Sequence, residues 1–149
     1  MIRQATQADT MTVVGLLKQF LLETSYEQSK AAADDLEHLC KLTWMTFQHG
    51  YVWLAYVGSE PVGLLMAIKE PNMWYPRAKE LKEIVWFIAP EYRKNSIGGK
   101  LFLNYCKKGE ELLKSGMIQG YFTTRMTTTD TIDYESRGFR LTEQTYLKE

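Results

Sequence analysis

The sequence predicts a mixed α/β (α+β) domain, and three observations carry the prediction. Apolar residues recur at three and four positions through most of the first 48 residues. The period then changes to two β-rich runs joined by a short turn containing Gly58 and Pro61. A third β-run passes through a glycine-containing turn into a helix and out to another strand, a β-α-β crossover. At 149 residues, one domain spanning 1–149 accounts for the whole chain.

Taken in order, residues 1–5 read as a short strand. From about Asp9 the spacing of Val13, Val14, Leu17, Phe20 and Leu21 predicts a helix. Leu36, Leu39, Cys40, Thr43, Trp44 and Phe47 repeat that spacing, predicting a second helix over roughly 30–48 that Gly50 ends. Tyr51–Val57 and Val62–Lys69 form a hairpin around the turn 58–61. Pro71 and Pro76 bracket a loop carrying Met73, Trp74 and Tyr75. Leu81–Ile88 is the next strand. The following helix has Leu101, Phe102, Tyr105 and Leu112 on its apolar face, and Gly109 on that face predicts close approach to the sheet. Gly116 caps it, Met117–Thr124 is a strand, 129–136 a short helix and 139–148 a last β segment.

Composition narrows the function classes. Lys+Arg and Asp+Glu each number 18, so the net charge is zero. This argues against nucleic acid as a partner bound through bulk charge. The 13% aromatic content fits a thick core or an aromatic-lined pocket, and composition does not choose between them. Cys40 and Cys106 form no C-x-x-C and lie on apolar helix faces, and the only histidines are His38 and His49. No metal site and no disulfide framework is expected, which suits a reducing compartment. No apolar run approaches the roughly 18 residues of a membrane span, and the N-terminus lacks a signal-peptide core. The expectation is a cytoplasmic protein with no membrane partner; a homodimer is left open.

The segment from Pro90 to Lys100 carries the most chemistry. A strand enters a turn that opens a helix, where backbone N–H groups lack helical partners and the dipole favours an anion. Gly98 and Gly99 allow close approach of a phosphate, and Arg93 and Lys94 add charge. The G-K-[ST] ending of a P-loop is absent. Two antiparallel strands precede the turn, which excludes the first turn of a dinucleotide fold.

This stretch, IVWFIAPEYRKNSIGGK from Ile84 to Lys100, resembles motif A of the GNAT (Gcn5-related) N-acetyltransferase superfamily. That motif is a strand, then Pro-x-Tyr-Arg, then R/Q-x-x-G-x-G/A, then a helix; here it reads Arg93-x-x-Ser96-x-Gly98. Tyr134-Glu135-Ser136-Arg137-Gly138-Phe139 resembles the family's Y-E-x-x-G-F motif B, and MIRQAT with its following helix resembles the family's opening. The element order matches along essentially the whole chain, and its compactness resembles short acetyltransferases carried by tailed phages.

The resemblance implies a central mixed sheet of about six to seven strands, two of them splayed parallel strands, flanked by about four helices. It implies transfer of an acetyl group from acetyl-CoA, with CoA as product, to an amine of a small molecule or protein. The pantetheine arm would pair with the strand around Trp86, Phe87 and Ile88, and the pyrophosphate would lie on Arg93, Lys94, Asn95, Ser96, Ile97, Gly98, Gly99 and Lys100. Glu83 is the expected proton acceptor, with Glu80 as neighbouring candidate, and Tyr134 the expected donor to the leaving thiolate. Transfer is direct in the family, so Cys106 is not needed as a nucleophile, and Tyr92 reads as packing. Trp74 and Tyr75 either bind the acceptor or serve as packing.

Three departures stand out: Ser96 in place of a motif glycine, a short segment after Phe139, and six threonines within 123–131 where the family often has Asn. Ser96 predicts a strained or rearranged turn and is the feature that favours an alternative reading, a GNAT-fold binding module with weak or no catalysis. Glu83, Tyr134 and the rest of the turn favour the enzyme. A nucleic-acid-modifying enzyme on the same scaffold is disfavoured by the zero net charge.

Overall fold

Helices cover both faces of one sheet because its central strands are apolar on both sides. The structure, a computed structural model, describes residues 1–125 and 132–149. Five strands lie side by side in chain order: β1 (Ile2–Gln4), β2 (Gly50–Val57), β3 (Glu60–Pro71), β4 (Lys79–Ile88) and β5 (Gly120–Phe122). Each neighbouring pair is antiparallel except β4 and β5, which run parallel. The helices are α1 (Thr10–Leu22), the short α2 (Glu27–Ala31), α3 (Leu36–His49) and α4 (Ile97–Lys114).

Val13, Leu17 and Leu39 of α1 and α3 pack on Leu54, Met66 and Phe87 of the sheet. On the other face α4 presents Leu101, Phe102 and Tyr105 to Trp53, Leu65 and Leu81. Successive residues of β2 therefore serve opposite cores, which is why YVWLAYV shows no polar alternation. At the tip of the β2–β3 hairpin Gly58 has φ +56 and Ser59 does not share it, the pattern of a two-residue turn with glycine first.

Several boundaries differ from the sequence reading. The second helix begins at Leu36 rather than 30, because Asp35 caps it: its side chain accepts from His38 N–H at 3.0 Å. Gly50 ends α3 by opening β2 in an extended conformation. A Cβ there would meet the Ala67 carbonyl oxygen at 1.9 Å, so close backbone approach demands glycine. Gly109 behaves as the sequence predicts, since a Cβ would lie 2.7 Å from the Tyr121 ring.

Among the described residues the sheet has five strands, where the resemblance implied about six to seven. β5 is shorter than 117–124: Met117 and Ile118 N–H bond back to the Leu112 carbonyl, and Thr123 and Thr124 turn to a carboxylate on β4. The segment 139–148 is not a strand: it pairs with none of the described strands, and Leu141, Tyr146 and Leu147 are exposed. Of the helix expected at 129–136, a single 3-10 turn is seen at Glu135–Arg137, and residues 126–131, including part of the threonine run, lie outside the described residues.

Candidate active site

β4 bonds to β3 along nearly its whole length but to β5 only at Glu80, Leu81 and Lys82. From Glu83 to Ile88 its outer side has no strand partner among the described residues. The splay implied by the resemblance is therefore present, and it starts at Glu83.

A β-bulge sits at the same place. Met66 faces Val85 and Ala67 faces Glu83, which leaves Ile84 unpaired. The extra residue shifts the face that each side chain occupies. Leu81 packs toward α4 before the bulge, Val85 and Phe87 toward α1 and α3 after it, and Ile88 toward α4 again. Glu83 and Trp86, three residues apart, thereby share the α4 face.

Glu83 is 8% exposed. Its Oε2 accepts from the Thr123 hydroxyl at 3.0 Å and from Thr124 N–H at 3.0 Å. Burial pushes its pKa above the ordinary value of 4.5, and these two bonds, which favour the anion, oppose the rise. Tyr134, packed at 6.0 Å from the rings of both Phe102 and Phe139, stands nearby. Its hydroxyl is buried and has no hydrogen-bond partner among the described residues. Burial raises its pKa, the Thr123 hydroxyl opposes that, and the Glu83 charge adds to it. Tyr105 on α4 bonds through its hydroxyl to the carbonyls of Leu81 on β4 and Phe122 on β5, where the pairing of the two strands ends. It locks the closed end of the splay.

The far end of β4 leads through a 3-10 turn at Pro90–Tyr92 to α4. Among the described residues, the N–H groups of Lys94, Asn95, Ser96, Gly98 and Gly99 donate to no backbone carbonyl or side chain. The Ile97 N–H is taken by the Asn95 side chain at 3.0 Å. Ser96 has φ −76, an ordinary value, so the strain expected of it does not arise. The Arg93 side chain is turned away from the turn: Nε donates to the Ile88 carbonyl at 2.8 Å, and the guanidinium pairs with Glu23 after α1 and lies over the Phe87 ring. Lys94 and Lys100 are exposed. Trp86 stacks on Phe102 with centroids 4.7 Å apart, so its side chain is spent on packing.

Trp74 (87% exposed) and Tyr75 project at the opposite end of β4 from this turn. Asn72 shapes their loop: its carbonyl oxygen accepts from Trp74 and Tyr75 N–H, and its amide donates to Glu80. Glu80 also meets Lys82, which is held by Glu70. That network makes Glu80 part of the loop's foundation and separates it from Glu83. Tyr92 donates to Glu60 at 2.9 Å, as packing at the strand end requires. His38 and His49 are on the surface. Thr123 and Thr124 were not singled out as site residues by the sequence reading; two hydroxyl residues directly after the apolar GYF of β5 were the available signal.

The acetyltransferase (GNAT) family model matches residues 16–139. No curated protein matches the sequence. Among solved structures, a possible acetyltransferase from Clostridium difficile 630 is 20% identical with a TM-score of 0.70, covering 100% of this chain and 96% of that one. An aminoglycoside acetyltransferase from an uncultured soil metagenomic sample is 16% identical with a TM-score of 0.65, over 99% and 95% of the two chains. A predicted acetyltransferase from Clostridium acetobutylicum, solved with acetyl-CoA, is 12% identical with a TM-score of 0.62, over 100% and 95%. These likenesses show a shared fold, and the family match runs through the bulge, the splay and the turn: the chain belongs to the acetyltransferase (GNAT) family.

Proposed function

We propose that this chain is an acetyl-CoA-dependent N-acetyltransferase that passes an acetyl group directly to a primary amine of a small molecule or protein. One observation carries the reading. Where β4 and β5 part, a carboxyl whose pKa is raised by burial stands near a buried phenol hydroxyl that has no hydrogen-bond partner among the described residues.

Acetyl-CoA, when bound, supplies the activated thioester. Glu83 takes the proton of the attacking amine, directly or through a water, and its raised pKa makes it a better base than a surface carboxylate. Tyr134 gives its proton to the departing sulfur, and its unpartnered hydroxyl fits an acceptor that arrives only with the acyl donor. The uncovered side of Glu83–Ile88 suits an amide-bearing arm, since strand edges left open take extended ligands. The free N–H groups of Lys94, Asn95, Ser96, Gly98 and Gly99 suit a pyrophosphate at the α4 terminus, with Lys94 and Lys100 as nearby cations. Arg93 serves this site by holding the strand end and the turn together rather than by touching phosphate. The non-catalytic alternative leaned on Ser96, and its ordinary backbone conformation withdraws that support.

The acceptor is placed at the end of the cleft nearer Trp74 and Tyr75. One structural neighbour is an aminoglycoside acetyltransferase, so aminoglycosides head the acceptor screen, followed by polyamines, amino acids and protein N-termini. We place the reaction in the cytoplasm, where the two free cysteines fit a reducing medium. No helix among the described residues is long and apolar enough to cross a membrane. Calorimetric titration with acetyl-CoA and with CoA is the first test. Saturable binding of both is expected, and no binding at millimolar cofactor overturns the reading.

A further inference from the structure

We propose that Thr123 is a positioning residue that joins Glu83 and Tyr134 into one proton-handling unit, its single hydroxyl proton going to whichever of the two carries the negative charge. The proposal takes its purpose from the acetyl-transfer reading above, but its test does not depend on that reading.

A threonine hydroxyl has one proton to give and two lone pairs to receive with. In the structure that proton goes to Glu83 Oε2 at 3.0 Å, and Thr124 N–H donates to the same oxygen at 3.0 Å. No described residue donates to the lone pairs of Thr123. The Tyr134 hydroxyl is close enough to feel Thr123, yet it is buried and unpartnered among the described residues. Native interiors rarely keep such a donor without a use. Thr123 reaches this position because β5 leaves the ladder after Phe122, one rung before Glu83 would have paired. A β-branched side chain there has few rotamers, which suits a fixed bridge.

The other groups around the pair are otherwise engaged. Tyr105 from α4 spends its hydroxyl on the Leu81 and Phe122 carbonyls. Lys82 on β4 is held by Glu70 and Glu80. β3 presents Ala67 opposite Glu83. Arg125, beyond β5, acts on the phenol as a charge. Among the described residues, Thr123 gives the one hydroxyl bond to the carboxylate, and the phenol that senses Thr123 is left without a bond of its own.

The balance of the unit is simple. After a turnover Glu83 has gained a proton and Tyr134 has lost one. The carboxylic acid then donates to Thr123 Oγ1, and the Thr123 proton turns to the phenolate. One proton passes from Glu83 to Thr123 and one from Thr123 to Tyr134. The carboxylate and phenol are restored, the threonine is unchanged and nothing else is consumed.

The test uses the whole chain labelled with 13C at tyrosine Cζ, the Tyr134 resonance being assigned by Tyr134→Phe. The Glu83 midpoint is read separately from its infrared carboxyl band, assigned by Glu83→Gln. In the native protein the Tyr134 resonance should move through a step at the Glu83 midpoint. Thr123→Val should shrink that step to the part the Glu83 charge produces through space and raise the midpoint, because a bond to the charged form is lost. Thr123→Ser should keep the full step. An undiminished step in Thr123→Val, or its absence from the native protein, overturns the proposal; Thr123→Ala serves if the valine variant does not fold. The two readings fail separately. A protein that binds acetyl-CoA without the step loses only the shared hydroxyl, and one that shows the step without binding acetyl-CoA loses only acetyl transfer.

Discussion

The two sides of β4 are built differently. Toward β3 the strand is paired from Lys79 to Ile88, interrupted only at the bulge, and every neighbour is another strand residue. Toward β5 it is paired for three residues, and then side chains take over what the ladder would have done. The β3 side is hydrogen-bonded backbone and apolar packing, with one ion pair, Lys82 to Glu70, near its start. The β5 side gathers a buried carboxylate, two threonines and a lone phenol. Where pairing stops, polar groups must be satisfied by something else. That requirement is why the proposed chemistry is assigned to the open side.

The sharpest way to break this comparison is Glu83→Gln. The amide keeps the shape and can still accept from Thr123 and Thr124, but it cannot take a proton. The turnover rate should fall by about 10²–10⁴-fold while acetyl-CoA affinity holds. Stability should move the other way. Because the folded protein raises this carboxyl above 4.5, its contribution to stability is full below that value and is lost as pH rises through the folded value. The variant should match the parent in acid and exceed it at neutral and alkaline pH, as thermal melts across pH will report.

Tyr134→Phe removes only the unpartnered hydroxyl. Turnover should drop by about tenfold or more. The melting temperature should hold or rise, because no hydrogen bond to a described residue is lost. A folded variant that turns over at the parent rate would reduce Tyr134 to packing.

A paired glycine experiment compares the two sides directly. Gly109→Ala drives a Cβ to 2.7 Å from the Tyr121 ring on β5, a wide and rigid obstacle. Overpacking of this kind costs about 1–3 kcal/mol, and chemical denaturation should show it. Gly63→Ala, on the β3 side, meets chiefly the flexible end of Ile88 at 2.6 Å, so its cost should be smaller. Equal costs would mean that β5 is no less tolerant of a push than β3.

Substitutions at Ser96 test the turn beyond the open side. Its φ of −76 already suits proline, so Ser96→Pro deletes an N–H with little backbone change and should weaken acetyl-CoA binding by about tenfold, or 1.4 kcal/mol. Ser96→Gly should leave affinity within about twofold, since there is no left-handed conformation for glycine to relieve. Calorimetry on both variants checks the pair, and a large loss for glycine would show the hydroxyl in use.

The α1 and α4 helices were legible because their apolar spacing is set by the same sheet faces that bury them. Gly109 was legible because a helix face interrupted by glycine has one common physical cause. The bulge was not: Ile84 and Val85 are both apolar, so no polarity marks the extra residue. Arg93 shows a different limit. As a cation beside two glycines it read as a phosphate ligand, yet its partner is Glu23, 70 residues away in sequence and invisible to local pattern. Glu83 and Tyr134 came from resemblance, and nothing in their immediate neighbours sets them apart. Thr123 and Thr124 gain meaning only once β5 is seen to leave the ladder. The expected last strand failed because a run of residues can read as β-forming without pairing to a neighbour, and 139–148 pairs with no described strand.

The loop held by Asn72 has a consequence for recognition that concerns entropy. Trp74 and Tyr75 are among the most exposed aromatic residues of the described chain, yet one side chain bonds both of their backbone N–H groups and anchors to Glu80. Ordering a loop residue's backbone costs about 1–2 kcal/mol. At this tip the ordering is already done in the free protein. A molecule that stacks on the two rings has only their side-chain rotation to arrest, and its affinity keeps what a floppy loop would have taken away.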